Sequence, residues 1–255
     1  MSTNQSTVPV LEKAIAVIMQ LAEAPDGFAV SQLSDSLHIP QATAYRILRT
    51  FIQAGWVRQR DDRLYELGTG LLPVAHALKP YDDLMGICRP LLEKLSAQTQ
   101  LGTKLSVRER REQIALDRAE SPRPYSVTGK VGSRFHILLG ATGAALLCKT
   151  EKSAIMQMMQ AAPEVGNSPD AQKIFDRLEE FKDKGVTMNR EGVPHGIHAM
   201  SAPVHNPNGT IAGAITVIGF KGDFDGEREV VCRIALLNTV QDAERQLAES
   251  RKLYL

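Results

Sequence analysis

The chain has almost no net charge of either sign: 30 lysines and arginines against 29 aspartates and glutamates leave +1 at pH 7. Overall basicity therefore gives no sign of a nucleic-acid partner, although a small basic face can be offset by acidic surface elsewhere. Cysteines number only three, Cys88, Cys148 and Cys232, far apart and each in an apolar setting. An odd, scattered set argues against a disulfide framework and for reduced thiols. The opening residues MSTNQSTVPV contain no cationic segment followed by an apolar run, so no secretory signal is read there. Apolar stretches all fall well short of a membrane span. These absences predict a cytoplasmic protein without a membrane partner. At 255 residues and 43% hydrophobic composition it has enough chain for one large or two medium domains.

What is present is helical periodicity first. VLEKAIAVIMQLAEA puts Leu11, Ile15, Ile18 and Leu21 on one face, and PDG ends that helix. VSQLSDSLHI reads as a second, short helix with Ser31 at its N-cap. In IPQATAYRILRTF, Pro40 sets the first turn of a third helix and Gly55 terminates it. Ala44, Ile47, Leu48 and Phe51 share its inner side, whereas Ala42, Tyr45, Arg46, Arg49 and Gln53 face outward. WVRQRDDRLYEL then changes period and predicts a hairpin turning around RDD. Three helices and a hairpin make a winged helix-turn-helix over residues 7–67. GTGLLPVAHALKP, residues 68–80, reads as a linker helix interrupted by Pro73.

A longer helix is expected from Asp82 to Thr99, burying Leu84, Ile87, Leu91, Leu92 and Leu95. TKLSVRERREQIALDRAE predicts a strand pair turning near Arg110–Glu112, and NPNG marks the turn of a second hairpin. Helices over ATGAALLCK, SAIMQMMQA and DAQKIFDRLEEFKDKG lie between, and GEREVVCRIALLNTVQDAERQLAES closes the chain. Hairpins in place of βαβ units predict an α+β domain around an antiparallel sheet across residues 81–250.

The outer face of the third helix is either plain solvated surface or a reading surface. Residues 41–63 hold five arginines and two aspartates on a nearly neutral chain. The arginines fall on the third helix and the hairpin, the two surfaces of a winged helix that meet DNA. That placement favours a double-stranded DNA operator as partner, and with it a nucleoid location. Gln41, Tyr45 and Arg46 are candidates for base contacts, glutamine pairing with adenine and arginine with guanine. Thr43, nearer the inner edge, suits a phosphate. Arg49 lies one turn further along, within reach of backbone phosphate, and Arg60 and Arg63 flank the wing tip, where a neighbouring phosphate or the minor groove is in reach.

The residues IPQATAYRILRTFIQAGWV, followed by YELG, LDRAESPRP, VGSRFHILLGATGAALL and NREGVPHGIHAMSAPVHNPNGTIAGAITVIGF, resemble successive blocks of IclR-type bacterial regulators. The similarity runs almost end to end. It implies a GAF-like effector domain, a homodimer formed largely through the N-terminal half or a dimer of dimers, and repression more often than activation. It also implies a small organic-acid effector. By motif position the family's ligand contacts correspond to Ala141, Thr142, Asn189, Ala199, Thr216 and Ile218, with Phe135 and Ile197 as apolar walls. Backbone N–H groups where GATGAALL begins would favour an anion. Leu138, Gly140, Asn189, Ala199 and Ile218 stand where many members carry more polar or charged residues, which points to an aromatic acid.

Other chemistry is weaker. His195, His198 and His205 fall within eleven residues, but strand alternation separates the first two, and loop or surface histidines are the simpler reading. GTG, GATG and GNS lack the order of a nucleophile elbow, and GKVGSRFH lacks dinucleotide spacing. No cofactor or metal is predicted. Two rivals stay open: a redox sensor or enzyme using Cys88, Cys148 or Cys232, and a protein-binding module whose winged helix no longer meets DNA.

Overall fold

The computed structural model describes residues 7–24, 26–77, 79–125, 127, 129–190 and 196–252. The chain divides into two compact units, Met1–Lys79 and Pro80–Leu255.

The first unit contains α1 (Pro9–Ala22), α2 (Val30–Leu37), α3 (Gln41–Gln53), β1 (Val57–Gln59) and β2 (Tyr65–Leu67). Val17, Leu21, Leu33, Ile39, Ala44, Ile47, Leu48, Val57 and Tyr65 form its core. On α1 the inward line is Ala14, Val17, Ile18 and Leu21. Leu11 and Ile15, expected inside, are 58% and 62% exposed. The helix is apolar over more of its circumference than so small a core can cover. Ser31 is not the N-cap of α2. The helix begins one residue earlier, after Ala29, whose N–H donates to Gln32 Oε1 at 2.7 Å. Gly55 follows α3 in the left-handed region, φ +70°, as a helix terminator does. Its carbonyl oxygen would lie 2.3 Å from a Cβ at Gly68 and 2.6 Å from one at Gly70, so the chain leaving the wing packs backbone to backbone on the end of α3.

β1 and β2 pair antiparallel with Arg58 opposite Glu66, and a bridge from Phe28 to Tyr65 extends the wing in a way the sequence pattern did not suggest. Beyond it, a 3-10 turn at Thr69–Leu71 leads into α4 (Leu72–His76). Pro73 occupies the first turn of α4. It starts that helix instead of interrupting one, as expected where its missing N–H is no loss.

The second unit runs α5 (Lys79–Thr99), β3 (Gly102–Glu109), β4 (Glu112–Ala119), β5 (Arg134–His136), α6 (Gly140–Leu146), α7 (Lys152–Ala161), α8 (Pro163–Gly166), α9 (Pro169–Gln172), α10 (Ile174–Lys184), β6 (Thr187–Asn189), β7 (Ile197–His205), β8 (Ile211–Phe220) and α11 (Glu227–Lys252). The segment DAQKIFDRLEEFKDKG, expected as one helix, is two, parted at Lys173. The short β5, β6 and α8 escaped the sequence reading because three or four residues carry too little periodicity.

The strands form one antiparallel sheet in the order β5-β4-β3-β8-β7-β6. Side chains alternate across it. Leu105, Val107, Met200, Ala202, Val204, Ile215 and Val217 point to one face, where Leu92 and Leu95 of α5 and Leu236 and Val240 of α11 bury them. The opposite face meets α6, whose Ala144, Ala145 and Leu146 join Ile137, Leu138, Ile155 and Ile174 in a second core. This is a winged helix-turn-helix followed by an α+β antiparallel-sheet domain.

α6 can sit this close only because Gly143 lacks a side chain. A Cβ there would lie 2.1 Å from the Ile137 carbonyl oxygen. Gly143→Ala is therefore expected to destabilise the second unit by about 2 kcal/mol or more, read as a lower urea midpoint in full-length protein.

Candidate functional site

The first candidate surface is the outer face of α3 with the wing. Gln41, Tyr45, Arg46 and Arg49 are exposed, and Thr43 is half-buried at the edge. The hydroxyl of Thr50 donates to the Arg46 carbonyl at 3.0 Å, a bond internal to the helix. The arginines of this surface are not equivalent. Arg58 pairs with Glu66, and Arg60 is held by Asp62 at 3.0 Å while donating to the Asp26 carbonyl at 3.1 Å. Among the described residues Arg46, Arg49 and Arg63 enter no ion pair. Arg63 stands in the left-handed region at φ +68°, which turns the wing. The sequence pattern treated Arg60 and Arg63 alike; the wing's acidic residues separate them.

The second candidate surface is the face of the six-stranded sheet beneath α6. Strand register builds it in rows. Arg118 of β4 lies opposite Lys104 of β3, Lys104 opposite Thr216 of β8, Thr216 opposite Ser201 of β7, and Ser201 opposite Thr187 of β6. Two residues along, Gly102, Ile218, Ala199 and Asn189 form the next row. Alternation puts Ile197 beyond Ala199 on the same face. Ala141, Thr142, Asn189, Ala199, Thr216 and Ile218, scattered over nearly eighty positions, thus come together under α6.

The hydroxyls here are linked. Thr216 Oγ1 is 2.9 Å from both Thr142 Oγ1 and Ser201 Oγ, and Ser201 Oγ is 3.2 Å from the Ile215 carbonyl. An order that gives every proton an acceptor runs Thr142 to Thr216 to Ser201 to the Ile215 carbonyl. Thr187 Oγ1 donates to the Ala141 carbonyl at 2.7 Å.

The start of α6 is arranged otherwise than expected. The Gly140 N–H, read as part of an anion seat, already donates to Asp170 Oδ2 at 2.8 Å. Asp170 is paired with the buried Arg177, which also donates to Asn189 Oδ1 at 3.0 Å. That N–H is met by an internal carboxylate. Phe135 of β5, 49% exposed, lies apart from the rows but carries the Lys104 ammonium 5.7 Å from its ring centroid.

Two family models match the chain: the IclR helix-turn-helix domain over residues 10–61, and the bacterial transcriptional regulator IclR C-terminal domain over residues 76–247. The chain belongs to the IclR family. Among its curated relatives is the HTH-type transcriptional repressor AllR of Escherichia coli K12, 22% identical over 249 residues, 95% of this chain and 92% of that protein. Among solved structures, the Thermotoga maritima IclR superposes with a TM-score of 0.72 at 17% identity, covering 94% of this chain and 98% of that one. An IclR-type regulator from Alicyclobacillus acidocaldarius gives 0.66 at 21% identity, with 95% and 100% covered. The relatives are transcriptional regulators, not enzymes.

Within this IclR regulator the remaining candidates are engaged elsewhere. His195 lies outside the described residues. His198 is buried, not on the surface, and stacks on Phe224 at 6.3 Å; burial lowers its pKa. His205 Nδ1 is 2.6 Å from Glu244 Oε1. Burial pushes the thiols of Cys88 and Cys232 up to about 12 and that of Cys148 up to about 11, away from the reactive thiolate. No helix among the described residues is long and apolar enough to cross a membrane.

The residue the sequence reading missed is Lys104. It is 8% exposed and makes no hydrogen bond or ion pair among the described residues. The signal was its place in TKLSVRE, a lysine in phase with small residues of a buried strand. Burial pushes its pKa down to about 8. The unfolded chain, with a lysine near 10.4, binds more protons between pH 8 and 10.4, so stability rises with pH across that window. Urea unfolding at pH 8 and pH 10 is expected to show about 2 kcal/mol more of this gain in the native protein than in Lys104→Met.

Proposed function

We infer that this regulator is a repressor that binds a roughly palindromic operator as a homodimer or dimer of dimers, tuned by a small organic-acid effector. Residues 7–67 act as the DNA-binding domain, 68–80 as the linker and 81–250 as the effector-binding domain. The observation that carries the DNA reading is the set of unpaired arginines, Arg46, Arg49 and Arg63, on α3 and the wing. Gln41, Tyr45 and Arg46 read base edges; Thr43, Arg49, Arg60 and Arg63 hold phosphates. The name of AllR, a repressor, supports the sign of regulation. A cytoplasmic, nucleoid-associated location follows from this role.

A pairing surface is supported by α1. Val8, Leu11, Ile15 and Met19 recur at helical spacing, and each is more than half exposed. A second copy laid on this stripe covers it and sets two half-sites about a two-fold axis. The effector then acts by binding one arrangement of the paired winged helices more tightly than another. Thr142, Asn189 and Thr216 supply the polar side of its site, and Phe135, Ala141, Ile197, Ala199 and Ile218 the apolar side. A cysteine-based redox sensor finds no support in thiols raised to about 11 or 12.

Genomic fragments retained by the purified protein at fixed, near-physiological salt supply the operator. On that fragment Arg46→Ala is expected to weaken binding roughly tenfold to a hundredfold, measured by fluorescence anisotropy. Arg63→Ala is expected to cost more than Arg60→Ala, because Arg60 is already paired within the wing. Equal affinity for all three variants and the native protein would overturn the DNA reading. Leu11→Lys combined with Ile15→Lys is expected to lower the assembly state in sedimentation equilibrium while leaving the helical circular dichroism signal intact.

A further inference from the structure

We propose that Lys104, with Ser133 beside it, is the anion seat of the effector domain, and that the ligand it takes is a small aromatic monocarboxylate. The proposal rests on reading the sheet face beneath α6 as the effector site.

A buried lysine calls for an acceptor at its ammonium, and among the described residues none meets Lys104. Next to it is a second unsatisfied group. Ser133 Oγ is buried without a hydrogen-bond partner. The lysine stem and the hydroxyl lie close together, since a Cβ built on Gly129 would lie 3.6 Å from Ser133 Oγ and 3.9 Å from Lys104 Cδ. An ammonium on a buried lysine stem and a buried hydroxyl, neither with a partner among the described residues, together match the two oxygens of a carboxylate.

The surrounding polar groups are engaged with one another. The hydroxyls of Thr142, Thr216 and Ser201 have an internal acceptor for each proton. Gly140 N–H is held by Asp170. In the groove on the opposite side of the unit, at Gln98, Leu101 and Val231, Arg123 meets Asp223 at 2.6 Å, Arg228 donates to the Gly222 carbonyl at 3.3 Å, and Glu227 adds a negative charge.

Charge counting sets the class. Arg118, across the ladder from Lys104, is paired with Glu120 at 2.8 Å, and Arg177 with Asp170. That leaves a single uncompensated positive charge on this face among the described residues, and hence one carboxylate. A dicarboxylate would bring a second charge with no partner. The ligand's body is set by the half-exposed Phe135 ring beside the ammonium and by the adjoining row of Ala199 and Ile218, apolar and free of further donors. A flat ring seated at the ammonium would stack offset on Phe135.

The test is calorimetric titration of the full-length protein with benzoate, phenylacetate and the neutral benzamide. Saturable binding of an acid, at least about tenfold tighter than benzamide, is expected from the charge-assisted contact. Lys104→Met should remove that preference while benzamide binding changes little, and Lys104→Arg should restore part of it. Lys104→Met loses a buried charge, so its melting temperature is expected to hold or rise, which separates lost binding from lost folding. Ala199→Phe fills the small-residue row. Loss of acid binding in Ala199→Phe but not in Lys104→Met overturns the lysine assignment while leaving the effector face standing. Loss in Lys104→Met alone keeps the lysine seat and moves the effector away from that row. If neither acid binds saturably, or neither is preferred to benzamide, the proposal is overturned.

Discussion

The register of β3, β8 and β7 is the constraint on which the second unit depends. Lys104 against Thr216 and Thr216 against Ser201 fixes which residues look toward α6 and which toward α5 and α11. A slip of one residue would exchange the two sets, driving Leu105, Ile215 and Met200 out of their core and the hydroxyls into it. The register is held by that asymmetry. One face is continuous Leu, Val, Ile and Met under two long helices, and the other is Thr, Ser, Ala and Gly under one short helix. Small residues on the second face let α6 approach.

Electrostatics on that face is a matter of what has already been neutralised. Asp170 satisfies the start of α6 and Arg177 satisfies Asp170, so the helix end and its carboxylate form a closed structural pair. The hydroxyl chain is closed in the same sense. Lys104 is the group left over, buried at a desolvation cost that its depressed pKa reflects. A protein keeps such a cost most readily where something else removes it.

The winged helix follows the same logic with the opposite outcome. Its core is small, so α1 shows apolar residues outward and α3 shows arginines outward. The acidic residues of the wing neutralise Arg58 and Arg60 but reach neither Arg46, Arg49 nor Arg63. The surface is therefore more selective than its count of arginines suggests, and its free charges lie where a groove and its flanking phosphates would lie.

The sequence by itself determined the element types and the inner faces of the strong helices. Ala44, Ile47 and Leu48 of α3, and Leu84, Leu91, Leu92 and Leu95 of α5, follow from a 3.6-residue period that burial enforces wherever a helix meets a core. NPNG fixed a hairpin because Gly209 takes a positive φ, +81°. The motif blocks marked Ala141, Thr142, Asn189, Ala199, Thr216 and Ile218 regardless of what those positions touch, and the fold brings them together at α6 and the sheet face it covers. Tertiary structure decided the rest. Which side of α1 is buried depends on how much core the other helices offer, which no local period encodes. Whether Arg60 or Arg63 is free depends on carboxylates across a hairpin and on a carbonyl thirty-four residues away. Lys104 carries no local sign of burial because a lysine's exposure is set by the strands on either side of it, and only the folded sheet, with Gly129 beside its stem, leaves it 8% exposed.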